Sequence, residues 1–334
     1  MNRVITATAL GLMAGLLSAC GGQQPAPTPA EAPATATEAS SNTSEKREIA
    51  VIPKGLAHQF WLTVKQGAEA AGEEFGANIV WQGPAKETEI EKQISIVNDM
   101  ITRGVDAIVM AACDENALVP TIQKAMDAGI KVITIDSGVK SDLPLSFVAT
   151  DNVAGARAAA DTLAKMTGES GKVGLIPFVP GAATSELREQ GFKEGIAAYP
   201  NMELAATLYC HSDVAKAMDA ARDMMTAHPD LKGIFAANEA AAIGAAQAIR
   251  TAGKQGQVLL VAFDAAEEEV AGLQEGVIQA LIVQNPFNMG YLGVKAALDA
   301  LDGKPVEKRI DTGVVVVTQE NLETPEVQQL INPS

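Results

Sequence analysis

The chain has no excess of basic residues: 25 Lys and Arg stand against 41 Asp and Glu, a formal net charge of −16. Without surplus cations to neutralise phosphates, nucleic acid and anionic surfaces are excluded as partners. Aromatic residues are scarce at 4%, so each one near a predicted cleft is informative. Cysteines number three, Cys20, Cys113 and Cys210, and none has the Cys-x-x-Cys or Cys/His spacing of a zinc site. Signatures of covalent and phosphate chemistry are missing too. No Gly-x-Gly-x-x-Gly follows a predicted strand, no Gly-x-Ser-x-Gly elbow occurs, and His58, His211 and His228 form no His-Glu-x-x-His pair. The run Gly168-Glu-Ser-Gly171-Lys172 lacks the spacing of a phosphate loop and precedes a strand instead of following one. The expectation is a protein that is not an enzyme and uses no metal or cofactor. Long apolar runs are absent as well, because Val4–Leu16 falls short of the roughly 20 residues that span a bilayer.

That short run has another use. Arg3 supplies a basic start, Val4–Leu16 an apolar core and Leu17-Ser-Ala-Cys20 a small-residue cleavage site, so residues 1–20 read as an export signal. The last four of these resemble a bacterial lipobox, which implies cleavage before Cys20 and attachment of lipid to its thiol. Residues 21–46, rich in Pro, Ala, Thr, Ser and Glu without an apolar period, read as a disordered tether. Export places Cys113 and Cys210 in an oxidising compartment. Both follow predicted strands in different halves of the chain, and either a bridge between the halves or two free thiols agrees with the spacing.

From Ile49 onward, short apolar runs alternate with stretches of helical period. Strands are expected at Ile49–Ile52, Asn78–Trp81, Ala107–Ala111 and Val132–Ile135, with helices between them stopping at Gly76 and Gly104. Thr88 and Glu91 suggest a capping box for the second helix. A second series starts at Leu145–Ala149 and ends in a late strand over Gly313–Val317. Strand-helix alternation predicts an α/β fold of two doubly wound parallel-sheet lobes. Several apolar runs stop at a side chain that hydrogen-bonds: Asp136, Asn238, Asp264 and Gln284. Singly, such residues serve as helix caps. Converging on the carboxyl edges of parallel strands, they suggest a polar cleft. Asp accepts while Asn and Gln both accept and donate, a set that suits vicinal hydroxyls. Trp61 and Phe263 are candidate flat walls for the C–H face of a sugar ring, Phe60 packs in the core, and Arg188 can offer a two-pronged donor.

Taken together, His58-Gln-Phe-Trp61, Lys65-Gln-Gly-Ala68, Gly104-Val-Asp-Ala-Ile108, Val132-Ile-Thr-Ile-Asp136, Ala149-Thr-Asp-Asn-Val153, Ser185-Glu-Leu-Arg188, Phe235-Ala-Ala-Asn238, Ala262-Phe-Asp264 and Ile282-Val-Gln284 resemble the periplasmic sugar-binding proteins of ABC transporters. The resemblance is to the ribose/galactose type with the type I periplasmic binding protein fold. It implies a sugar or polyol ligand, a permease partner and a monomer lipid-anchored at the cell envelope, in the periplasm or on the outer face of the membrane. A sugar-sensing component that signals to a chemoreceptor or histidine kinase is the alternative it leaves open. By resemblance, His58 falls on a sugar-contacting position, Phe60, Trp61 and Phe263 on ring-stacking ones, and Asp136, Arg188, Asn238, Asp264 and Gln284 on hydroxyl-binding ones. It also implies a three-segment hinge near Thr150-Asp151, Asn285-Pro286 and Asp311-Thr312. The lobes would then comprise 47–150 with 286–311, and 151–285 with 312–334. Two positions depart from the pattern: Ser137 replaces the usual Arg after Asp136, and Lys54 lies in a lengthened first loop. The Asp136–Arg pair is therefore expected to be missing, which leaves room for a ligand other than a plain aldopentose.

Overall fold

The structure, a computed structural model, describes residues 46–333; the export signal, Cys20 and nearly all of the tether lie outside them. The first half of the described chain runs β1 (Glu48–Ile52), α1 (Gln59–Phe75), β2 (Asn78–Trp81), α2 (Ile90–Arg103), β3 (Ala107–Met110), α3 (Val119–Asp127), β4 (Lys131–Ile135) and β5 (Ser146–Ala149). The second runs α4 (Asn152–Met166), β6 (Ser170–Ile176), α5 (Ala183–Ala197), β7 (Asn201–Thr207), α6 (Val214–Ala227), β8 (Leu231–Ala236), α7 (Glu239–Thr251), β9 (Leu259–Phe263), α8 (Glu267–Gln274) and β10 (Ala280–Val283). It closes with α9 (Pro286–Leu301), β11 (Arg309–Asp311), β12 (Val315–Val317) and α10 (Pro325–Ile331).

The strands form two sheets, ordered β11-β5-β4-β3-β1-β2 and β12-β10-β9-β8-β6-β7. Side by side these orders correspond strand for strand, so β4 and β9 hold equivalent places, as do β1 and β6. Continuous apolar runs such as Ala107–Met110 and Ala280–Val283 are buried at every residue, as parallel strands covered on both faces must be. One edge departs from the expected all-parallel pattern: β12 pairs antiparallel with β10. A parallel neighbour in one sheet needs a long crossover, whereas β12 enters directly from β11 of the other sheet and is free of that requirement. The chain passes between the sheets after β5, after β10 and after β11. Two of these passages are tied together, since Thr150 Oγ1 donates to the Gly313 carbonyl at 3.1 Å and Arg309 Nη2 donates to the Thr150 carbonyl at 3.0 Å.

Helix ends follow local chemistry. Gly76 and Gly104 close α1 and α2 in the left-handed conformation, at φ 71° and 75°. The Thr88/Glu91 box does not form. Glu89 is the N-cap of α2, and its carboxylate instead accepts the amides of Ala85 and Lys86 in the preceding loop. The helices α8 and α10 had no counterpart in the sequence reading, being too short to show a period. Cys113 and Cys210 are buried free thiols.

Between α1 and α9 the backbones nearly touch. A Cβ on Gly67 would lie 1.9 Å from the Phe287 carbonyl oxygen, and one on Gly290 would lie 2.0 Å from that of Val64. Rigid backbone atoms leave no room for a methyl group, so the helices would have to separate. Gly290→Ala is expected to destabilise the protein by about 1–3 kcal/mol, read as a lower midpoint in urea unfolding; an unchanged midpoint would show that the helices part freely.

Candidate functional site

Two aspartates frame the space between the sheets. Asp136 follows β4 and Asp264 follows β9, the equivalent strand of the other sheet, and both have left-handed backbones, φ 52° and 88°. Such conformations cost non-glycine residues on the order of 1–3 kcal/mol and persist where the surroundings fix them. At Asp264 the fixing is visible. Its amide donates to the Ile282 carbonyl, Oδ1 accepts from Gln284 Nε2 at 2.7 Å, and Oδ2 accepts the Glu239 amide at 3.0 Å.

Asp136 has a cationic partner. Lys54, two residues past the end of β1, places Nζ 3.1 Å from Asp136 Oδ2 and donates to Thr184 Oγ1 of α5, at 2.9 Å, across the gap between the sheets. The charge expected to be missing beside Asp136 is thus supplied from the loop after β1. Burial works against the Lys54 charge, but Asp136 and Glu87 outweigh it and raise the lysine above its ordinary pKa. Its ammonium lies 5.6 Å from the Trp61 ring centre and 5.2 Å from that of Phe178, within range of cation–π attraction.

On the other side Arg188 is 2% exposed. Its Nε donates to Asn152 Oδ1 and its Nη1 to the Ala237 carbonyl, both at 2.8 Å, and the guanidinium lies 3.7 Å from the centre of the Phe263 ring. Burial pulls its pKa down, against the opposing pull of Asp264 and Asp136. Asn238 has two jobs at once: Oδ1 caps α7 through the Ala241 amide, and Nδ2 donates to Ser212 Oγ, each at 3.0 Å. Capping and facing the site, alternatives for this residue in the sequence, coexist.

Lys54, His58, Phe60, Trp61 and Asp136 from one half, with Arg188, Asn238, Asp264 and Gln284 from the other, line one cavity. Ser137 and Phe263 do not. Ser137 is fully buried beneath the Asp136 turn, where its carbonyl accepts the Ala112 amide. Phe263, the last residue of β9, is fully buried in the core between Phe235 and Arg188. It supports the guanidinium from behind, and the aromatic wall on that side is Phe178.

Three lining residues escaped the sequence reading: Glu87, Phe178 and Glu239. Phe178 follows β6 and Glu239 adjoins Asn238, so the strand-end rule reaches both when widened by two residues. Glu87 sits in the loop before α2 and carried no signal. Its Oε1 accepts from Trp61 Nε1 at 2.9 Å and lies 3.6 Å from His58 Nδ1, while Oε2 accepts from Ser212 Oγ at 2.6 Å. The Glu239 carboxylate accepts the amides of Gln59 and Phe60, both at 3.0 Å. It therefore seats a negative charge from α7 on the positive end of α1.

These contacts draw the halves together around a void of only about 20 Å³. A single water needs at least about 10–15 Å³, so this void is water-sized and smaller than a sugar ring.

A family model described as a periplasmic binding protein domain matches residues 49–305. The D-ribose/D-allose-binding protein of Pseudomonas aeruginosa is 35% identical over 293 residues, covering 85% of this chain and 91% of that protein. The ribose import binding protein of Escherichia coli is 30% identical over 285 residues, covering 84% and 94%. Among solved structures, an ABC transporter solute-binding protein from Agrobacterium vitis with bound D-fucose superposes with a TM-score of 0.83 at 39% identity, covering 85% of this chain and 99% of that one. A carbohydrate transporter solute-binding protein from Agrobacterium radiobacter in complex with D-arabinose gives 0.84 at 34%, covering 87% and 100%.

His58 makes the site sensitive to pH. Burial alone would lower its pKa, but the bond to Glu87 and the charges of Glu87, Glu239 and Asp264 raise it from 6.5 to about 9. A pKa raised by folding stabilises fully below the unfolded value and ceases to do so as pH climbs through the folded one. Calorimetric stability is therefore expected to fall between pH 6.5 and 9, by up to about 3 kcal/mol, and His58→Gln should flatten that decline. Equal slopes in both proteins would show that His58 is not held charged.

Proposed function

The chain belongs to the periplasmic binding protein family, and on that premise we propose that it captures a sugar or polyol between its two lobes and delivers it to an ABC transporter permease. The observation that carries this reading is the convergence of equivalent strand-end aspartates, Asp136 and Asp264, with Arg188, Asn238 and Gln284 on one cavity. Relatives named for ribose and allose, and solved neighbours holding D-fucose and D-arabinose, support a monosaccharide-sized ligand. These relatives are binding proteins of transport systems, so the reading is one of capture without turnover.

Each group has a part in that reading. Asp136 and Asp264 accept from ring hydroxyls, Arg188 and protonated His58 donate to them, and Asn238 and Gln284 do either. Phe60 and Trp61 form one apolar face and Phe178 the other. Lys54 pairs with Asp136 and orients it, partly offsetting the burial that raises the pKa of this carboxyl group. The amino-terminal lobe comprises 47–150 with 286–311 and the carboxy-terminal lobe 151–285 with 312–334. The passages near Thr150-Asp151, Asn285-Pro286 and Asp311-Thr312 serve as the hinge about which the lobes open. Cys20 carries the lipid that fixes the protein to the envelope, with the following segment as tether. Co-purification with a permease, as opposed to a sensor domain, separates transport from signalling.

A thermal-shift screen of D-ribose, D-allose, D-arabinose, D-fucose and polyols is expected to yield a ligand that stabilises by about 2.7 kcal/mol at a hundredfold excess over Kd. For that ligand, Asp264→Ala and Arg188→Ala should each weaken calorimetric binding at least tenfold, because hydrogen bonds to charged groups contribute about 1.5–3 kcal/mol. Full affinity in both variants would remove the cavity as the binding site. Fractionation of cells expressing Cys20→Ser should recover the protein in the soluble fraction instead of the membrane; continued sedimentation with membranes would exclude Cys20 as the anchor.

A further inference from the structure

We infer that Glu87 is the positioning residue through which closure of the two lobes sets the shape of the ring-binding wall. The inference rests on the reading of the cavity as a binding cleft that opens and closes. Glu87 is 6% exposed, and neither of its carboxylate oxygens is idle. From its own lobe it takes the Trp61 indole N–H and faces the His58 imidazole; from the other it takes the Ser212 hydroxyl. The Ser212 oxygen in turn accepts from Asn238 Nδ2. A continuous line of donors and acceptors thus joins a strand-end amide of one lobe to the aromatic wall of the other.

A second, independent feature points to the same junction. Ser212 and its neighbour His211 both have left-handed backbones, φ 52° and 55°, although neither is glycine. Consecutive strained residues persist only where surrounding contacts hold them, and here the strained turn aims a hydroxyl at Glu87. The turn is held from within its own half, where the His211 amide donates to the Phe178 carbonyl and the Asp213 amide to the Cys210 carbonyl. Glu87 also makes the junction electrostatic. Burial opposes its ionisation, but Lys54, His58 and the Ser212 hydroxyl hold its pKa below the usual carboxylate range. The other charged groups around it and His58 are Asp136, Arg188, Glu239 and Asp264. Truncating Glu87 therefore frees the Trp61 indole and leaves the cations facing one carboxylate fewer.

The test uses the full chain carrying Glu87→Gln, Glu87→Asp or Ser212→Ala. The His58 resonances, followed by NMR, should titrate near pH 9 in the unsubstituted protein and at least one unit lower in Glu87→Gln, with Ser212→Ala close to the unsubstituted value. Small-angle scattering should show both Glu87→Gln and Ser212→Ala shifted toward the open form. Affinity for whichever of D-ribose, D-allose, D-arabinose and D-fucose binds best should fall at least tenfold in Glu87→Gln, three- to tenfold in Ser212→Ala, and recover in part in Glu87→Asp. An unchanged His58 titration in Glu87→Gln, or scattering indistinguishable from the unsubstituted protein in both variants, overturns the inference. Should none of the four sugars bind the unsubstituted protein, the proposed ligand class fails, and the titration and scattering still decide the role of Glu87.

Discussion

Charges buried between two lobes must be paired, and in this protein part of the pairing comes from across the gap. Lys54 reaches both Asp136 on its own lobe and Thr184 on the other; Glu87 reaches Trp61 and Ser212; Glu239 sits on the start of α1. An ionised side chain stripped of water and left unpaired is strongly unfavourable. The cross-gap partners are already aimed at one another, in a network whose geometry is largely set.

The aim comes from the sheets. Two chains of strand and helix with matching strand order bring their carboxyl edges to face each other, so Asp136 and Asp264 arrive as near-equivalents. The strained backbones of Asp136 and Asp264 lie on the cavity wall, and that of Ser212 lies one hydrogen bond behind it at Glu87, whereas the strained Glu169 sits in the turn after α4. Rigid strands thus position the polar groups, and three passages of chain join the two sheets.

Much of this was legible in the residues. Buried strands announce themselves as continuous apolar runs, and a polar residue that ends such a run lies at the edge where ligands bind in this fold class. Asp136, Asn238, Asp264 and Gln284 were found by that rule, and all four line the cavity. The rule cannot tell which face a neighbouring side chain takes. Phe263 therefore looked like a wall and proved to be core, while Phe178, two places past its strand, was overlooked. Lys54 and Ser137 show a different gap: the ion pair with Asp136 is made from the loop after β1, and sequence order carries no record of that distance. Glu87 was illegible for the plainest reason, since a glutamate in a polar loop looks like any solvated charge until its burial is known.

The central claim is that the strand-end groups of both lobes hold one ligand together. A crystal structure of the protein with its tightest-binding monosaccharide tests it most directly. The account predicts ring density between Trp61 and Phe178, with hydroxyls on Asp136, Arg188 and Asp264. Density elsewhere, or a ring that touches one lobe alone, would contradict it.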